Sequence, residues 1–119
     1  MRIILLGGGL GHIQFIRDKA KNMSADVEII LVSPKPHIFY QPAFEDVLTG
    51  RRSIQDAIID LRKISTLAGV TFIQSEIESI DTDRKIIKLV QRASLQYDFL
   101  SIEGVEVPQP LSPKPFHQT

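Results

Sequence analysis

The residues best suited to chemistry are Gly7, Gly8, Gly9, Leu10, Gly11 and His12, which stand between an aliphatic stretch and a helix-like one. In a strand-to-helix turn, Gly7 permits the tight reversal and Gly9 lets the backbone approach a pyrophosphate. The amides of Leu10, Gly11 and His12 then open the helix with donors and partial positive charge, so the expected ligand is an anion. The full G-x-G-x-x-G spacing asks for glycine at position 12, where His12 stands; two of its three glycines are present. A tight turn with a close helix contact and no ligand would use the same residues. The acidic residue that commonly ends the second strand and bonds an adenosine ribose is missing, because Val32 is followed by Ser33 and Pro34. Ser33 offers a hydroxyl instead, and it serves equally well as a strand-ending turn.

Other reactive side chains have simpler explanations. His12 and His37 lack a second ligand at close, regular spacing, and His117 lies in a proline-rich tail, so no metal site is expected. Asp81 and Asp83 sit where a hairpin turn is predicted, and aspartate there bonds its own backbone. Arg51, Arg52, Arg62 and Lys63 read as solvated charges on loop and helix. His37, Phe39, Tyr40 and Phe44 form an aromatic cluster whose commoner use is packing a loop on a sheet rather than touching a ligand. No catalytic constellation emerges.

The elements that must position the glycine turn follow from periodicity. Arg2 to Leu6 is aliphatic, as in a parallel strand buried on both faces. Leu10, Ile13, Phe15, Ile16 and Ala20 approximate a helical stripe over Leu10 to Asn22. Val27 to Val32 reads as a second buried strand, stopped by Pro34 and Pro36. Ser53 is the expected cap of a helix carrying Ile54, Ala57, Ile58, Leu61, Ile64 and Leu67 up to Gly69. Val70 to Gln74 is a third strand. Glu76 to Asp81 and Lys85 to Val90 form a hairpin, and Leu95 to Ile102 a single closing strand. This order predicts an α/β fold: a Rossmann-like half-domain with a parallel sheet and a β-meander.

Composition narrows the class. A chain of 119 residues with 43% hydrophobic content builds one core. Its 14 basic residues balance 14 acidic ones, so no overall charge draws it to nucleic acid or an anionic membrane. The absence of cysteine excludes a disulfide framework, thiolate metal sites and thiol catalysis by this chain. The apolar start Ile3 to Leu6 is too short for a membrane span or signal peptide. A soluble, cytoplasmic protein is expected, with one domain over 1–105 and a disordered proline-rich tail over 106–119.

Several motifs, in order, resemble the opening half of an FAD-binding domain of the pyridine nucleotide-disulfide oxidoreductase superfamily. The segment from His37 to Gly50, with Gln41, Pro42, Thr49 and Gly50, is similar to type II NADH dehydrogenases and sulfide:quinone reductases. Ala57 to Lys63, Gly69 to Ile77 and Tyr97 to Ile102 are similar to the same group. The flavoprotein domain fused to some selenide, water dikinases resembles this chain in both departures, with histidine at the end of the glycine turn and serine after the second strand. The resemblance implies that Gly7 and Gly9 face an FAD pyrophosphate, that Ser33 and Pro34 lie by the ribose, and that Glu76 and Ile77 offer backbone to adenine. It makes Gln41 and Pro42 the neighbours of the flavin ring.

Complete members of that superfamily continue into an NAD-binding domain and a second flavin-binding G-D motif, neither of which occurs in this sequence. Their closing strand leads to a T-G turn, whereas here Ile102 leads to Glu103, Gly104 and Val105. The expectation is a module that binds FAD, or only its ADP moiety, without turnover. The alternative is a non-catalytic interaction protein that has lost the cofactor. It would dimerise or pair with a larger flavoprotein through an uncovered sheet edge.

Overall fold

The structure is a computed structural model and describes residues 1–108; all but the first three residues of the expected tail, from Glu106, lie outside them. The chain opens with β1 (Arg2–Leu6), α1 (Leu10–Asp18) and β2 (Glu28–Ser33), the predicted strand-helix-strand unit. Short β3 (His37–Phe39), α2 (Phe44–Leu48) and β4 (Ile58–Asp60) follow, then α3 (Leu61–Ala68) and β5 (Thr71–Gln74). Strands β6 (Ile77–Asp81), β7 (Ile86–Leu89) and β8 (Leu95–Gln96) make an antiparallel meander, and β9 (Phe99–Ile102) closes the main sheet.

The main sheet has the order β5-β2-β1-β9, all parallel. Alternation along its two inner strands divides the core. Leu5, Ile29 and Leu31 point to one face, where Ile13 and Ile16 of α1 and Leu61 and Ala68 of α3 cover them. Ile4, Leu6, Ile30 and Val32 point to the other, where Ile80, Ile87 and Leu89 of the meander complete a second cluster. Both faces of β1 and β2 are therefore buried, which is why their sequences are unbroken aliphatic runs.

Three expectations are corrected. The helix predicted from Ser53 begins only at Leu61, because Ile58 to Asp60 pair antiparallel with His37 to Phe39. Tertiary pairing overrides the helical spacing there, and Ile54 and Leu67 are left exposed. The cap is Asp60, whose carboxylate accepts from the Lys63 amide at 3.1 Å. The first helix ends at Asp18, and a separate 3-10 turn holds Ala20–Asn22. The predicted strand Leu95 to Ile102 is two strands in different sheets, since β8 pairs with β7 and β9 with β1. The Asp81 turn is as expected: its carboxylate accepts from the Asp83 and Arg84 amides.

Candidate functional site at the ends of the parallel strands

Because the strands are parallel, the loops that follow β1, β2, β5 and β9 gather at one end of the sheet. The chain steps outward from β1 to β2 to β5 and then returns to the opposite side of β1, so the β1 turn lies at a topological switch point. Crevices in open α/β sheets form at such points. Gly7 takes φ of +94°, and its amide donates to Val32 O at 2.8 Å. Gly9 is the N-cap of α1 without a side-chain cap bond of its own, leaving the first-turn amides for other acceptors.

A cavity of about 470 Å³ opens from this turn. It is lined by Gly8, Gly9 and Leu10 of the turn, by Gly104, and by Lys35, His37, Phe39, Tyr40, Gln41 and Pro42. The structure thus brings Gly9 and Leu10 together with Gln41 and Pro42, more than thirty positions away in sequence. The aromatic cluster divides: Tyr40 packs on the core, Phe39 meets Phe44 edge-to-face at 6.3 Å, and Phe44 is half exposed. His37 faces Asp60 at 3.8 Å, and both are exposed.

The other predicted residues are elsewhere. Gly11 and His12 line a second, largely apolar groove of about 400 Å³ with Phe99, Ser101, Ile102 and Glu103. His12 is buried. Its Nδ1 lies 2.7 Å from Gly7 O and its Nε2 2.8 Å from Ser101 Oγ. A carbonyl only accepts, so Nδ1 carries a proton toward Gly7 O, and Nε2 pairs with the Ser101 hydroxyl. His12 therefore ties the glycine turn and α1 to β9. The buried Ser33 hydroxyl donates to Lys35 O at 2.8 Å and stabilises the turn after β2. Glu76 O accepts from the Val90 amide and the Ser75 hydroxyl, and Ile77 packs on the meander-side core. Pro34, Glu76 and Ile77 do not line the cavity.

One residue beside the glycine turn, on the side of the second groove, was not among the expected ligand neighbours. Leu6 pairs with Ile102, so the β9 loop runs beside the glycine turn. Glu103 O accepts from the Gly9 amide at 3.1 Å, and Glu103 Oε1 accepts from the His12 amide at 2.9 Å. Among the described residues, no protein acceptor meets the Leu10 and Gly11 amides. The altered seam after Ile102 was visible in the sequence, but nothing local revealed where its carboxylate would fold.

Over 100 residues, 84% of its length, this chain is 29% identical to sulfide-quinone reductase of Aquifex aeolicus (strain VF5), of which it spans 23%. It is homologous to that protein over this stretch. The crystal structure of the sulfide:quinone oxidoreductase from the same bacterium superposes with a TM-score of 0.71, covering 85% of this chain and 23% of that one. NDH2 from Plasmodium falciparum, in complex with NADH, matches at 21% identity and a TM-score of 0.68, with 85% and 21% covered. The NAD-dependent persulfide reductase from A. fulgidus matches at 20% identity and 0.69, with 86% and 21% covered. These last two share the fold. No protein-family model matches the chain.

Proposed function

We propose that the chain binds the ADP moiety of FAD at the β1 turn and corresponds to the opening part of a flavin-dependent NADH- or quinone-linked oxidoreductase. The observation that carries this reading is the cavity joining Gly9 and Leu10 to Gln41 and Pro42, in a chain homologous to sulfide-quinone reductase. The Leu10 amide at this cavity and the adjacent Gly11 amide suit a pyrophosphate, and Gln41 and Pro42 on the same cavity suit the flavin end of the group. The group itself supplies the redox chemistry. This chain's residues bind and orient it. Hydride transfer needs a wider enclosure than the described residues form, so cofactor binding is the property to test on this chain.

The test is an absorbance spectrum of the purified protein followed by calorimetry with FAD, ADP and NADH. FAD and ADP should compete for one site, and Gly9→Val should abolish both. Absence of affinity for either overturns the reading, and preference for NADH would reassign the cofactor.

A second reading rests on a separate observation. Strand β9 pairs only with β1 among the described residues, and Phe99 and Ile102 on it are 59% and 44% exposed. An open strand beside an apolar groove suits association with a second copy or a larger flavoprotein. A monodisperse monomer in light scattering, with tight FAD binding, decides against it.

A further inference from the structure

The glycine turn is shaped around the protein's own chain. A Cβ at Gly7 would lie 2.3 Å from Glu103 O, one at Gly9 2.3 Å from Glu103 Cγ, and one at Gly11 2.9 Å from Glu103 Oε1. In the other direction, Gly104 adopts φ of +78°, and a Cβ on it would come within 2.6 Å of the Gly9 amide nitrogen. The space that the three glycines open is occupied by Glu103 and Gly104.

What occupies it is chemically informative. The Glu103 carboxylate sits on the first turn of α1, where the amides and the helix dipole favour negative charge. Glu103 is itself exposed, so its side chain can swing into water without disturbing either core cluster. Its backbone, by contrast, is fixed: its amide donates to Leu6 O at 2.9 Å, and its carbonyl accepts from Gly9. A fixed backbone with an exposed side chain held by one amide makes a displaceable anion.

We infer that Glu103 is an internal stand-in for phosphate, which occupies the α1 N-terminus in the free protein and must leave before an anionic nucleotide binds there at full strength. This rests on the ADP-binding reading and deepens it by naming the residue that sets affinity. With Glu103 in place, a pyrophosphate reaching the Leu10 and Gly11 amides meets a like charge a few ångströms away. With Glu103 turned out, the His12 amide is released and joins those of Leu10 and Gly11 facing the ligand, while the Gly9 amide stays bonded to Glu103 O. Selectivity follows as well. The penalty falls on phosphate-bearing ligands and not on an uncharged nucleoside.

The experiment compares the full chain with Glu103→Gln and Glu103→Ala by calorimetry, using ADP, inorganic pyrophosphate and adenosine at fixed pH and salt. Glutamine keeps an acceptor of the same shape and removes only the charge, so it guards against a folding artefact, which circular dichroism checks. ADP and pyrophosphate should bind both variants at least about tenfold more tightly, or about 1.4 kcal/mol, while adenosine is unchanged. Equal ADP affinity in wild type and variants, with Gly9→Val still abolishing binding, overturns the Glu103 inference alone. Tightening that extends equally to adenosine also overturns it, because charge would not be the cause. If neither wild type nor variants bind ADP or pyrophosphate, the ADP-binding reading falls and the inference falls with it.

Discussion

Replacing His12 by glycine would complete the G-x-G-x-x-G spacing, and a motif-based argument would expect the change to be harmless or helpful. The structure predicts the opposite. His12 is 5% exposed and bridges Gly7 O and Ser101 Oγ at 2.7 and 2.8 Å. Removing it deletes one buried and one part-buried hydrogen bond, worth about 1 kcal/mol each. Glycine in a helix adds about 1 kcal/mol, and the unfilled space of the ring contributes about 1 more. The total is about 4 kcal/mol, which for a domain of this size lowers Tm by roughly 15 °C. Urea denaturation measures the first figure and thermal melting the second. Ser101→Ala alone should cost about 1 kcal/mol, and the two changes should be non-additive by a similar amount, since they share a bond. A His12→Gly variant within 1 kcal/mol of wild type would refute the bridging role.

Two further outcomes test the elements around the site. Asp60→Ala should destabilise by about 1 kcal/mol in urea titrations, because it removes the cap of α3, while Ser53→Ala should cost only a few tenths; Ser53 merely holds the Asp56 amide at 3.3 Å in a short turn. Equal losses would mean that α3 does start near Ser53. Burial, and secondarily the Asp81 charge, raise the Tyr97 phenol above its ordinary value near 10. The unfolded chain then ionises first, so this contribution is complete below pH 10 and lost as pH rises through the folded value. Tyr97→Phe should flatten the fall of stability as pH rises above 10, which denaturation over alkaline pH measures.

Where each residue's role depends on near neighbours, the sequence was readable. The aliphatic runs at Arg2 to Leu6 and Glu28 to Ser33 announce doubly covered strands, and the Asp81 turn bonds itself. Reading failed where distant pairing decided the outcome. Ile58, Leu61 and Ile64 keep helical spacing, yet Ile58 to Asp60 are drawn into a ladder with His37 to Phe39. Likewise Tyr97 and Asp98 look like strand interior, but the chain leaves the meander there, and the Asp98 amide donates to Arg2 O at the start of the next ladder.

The site divides along the same line, and the division bears on what the chain binds. Gly9 and Leu10 could be located from local spacing, and Gln41 and Pro42 from resemblance; the cavity unites them. Position 12 could not be interpreted locally, because its partner, Ser101, is 89 residues away. Position 103 was equally opaque. Yet the two departures are one arrangement, for His12 is held by Glu103 through its amide and by Ser101 through its ring. Strand β9 and the loop after it thereby do two jobs at α1. Through Ser101 the strand anchors the helix start, and through Glu103 the loop supplies that helix with an anion. A chain whose glycine turn had merely decayed would have no reason to show two contacts converging from one strand and its loop. A turn rebuilt to be held closed by its own β9 loop would show both.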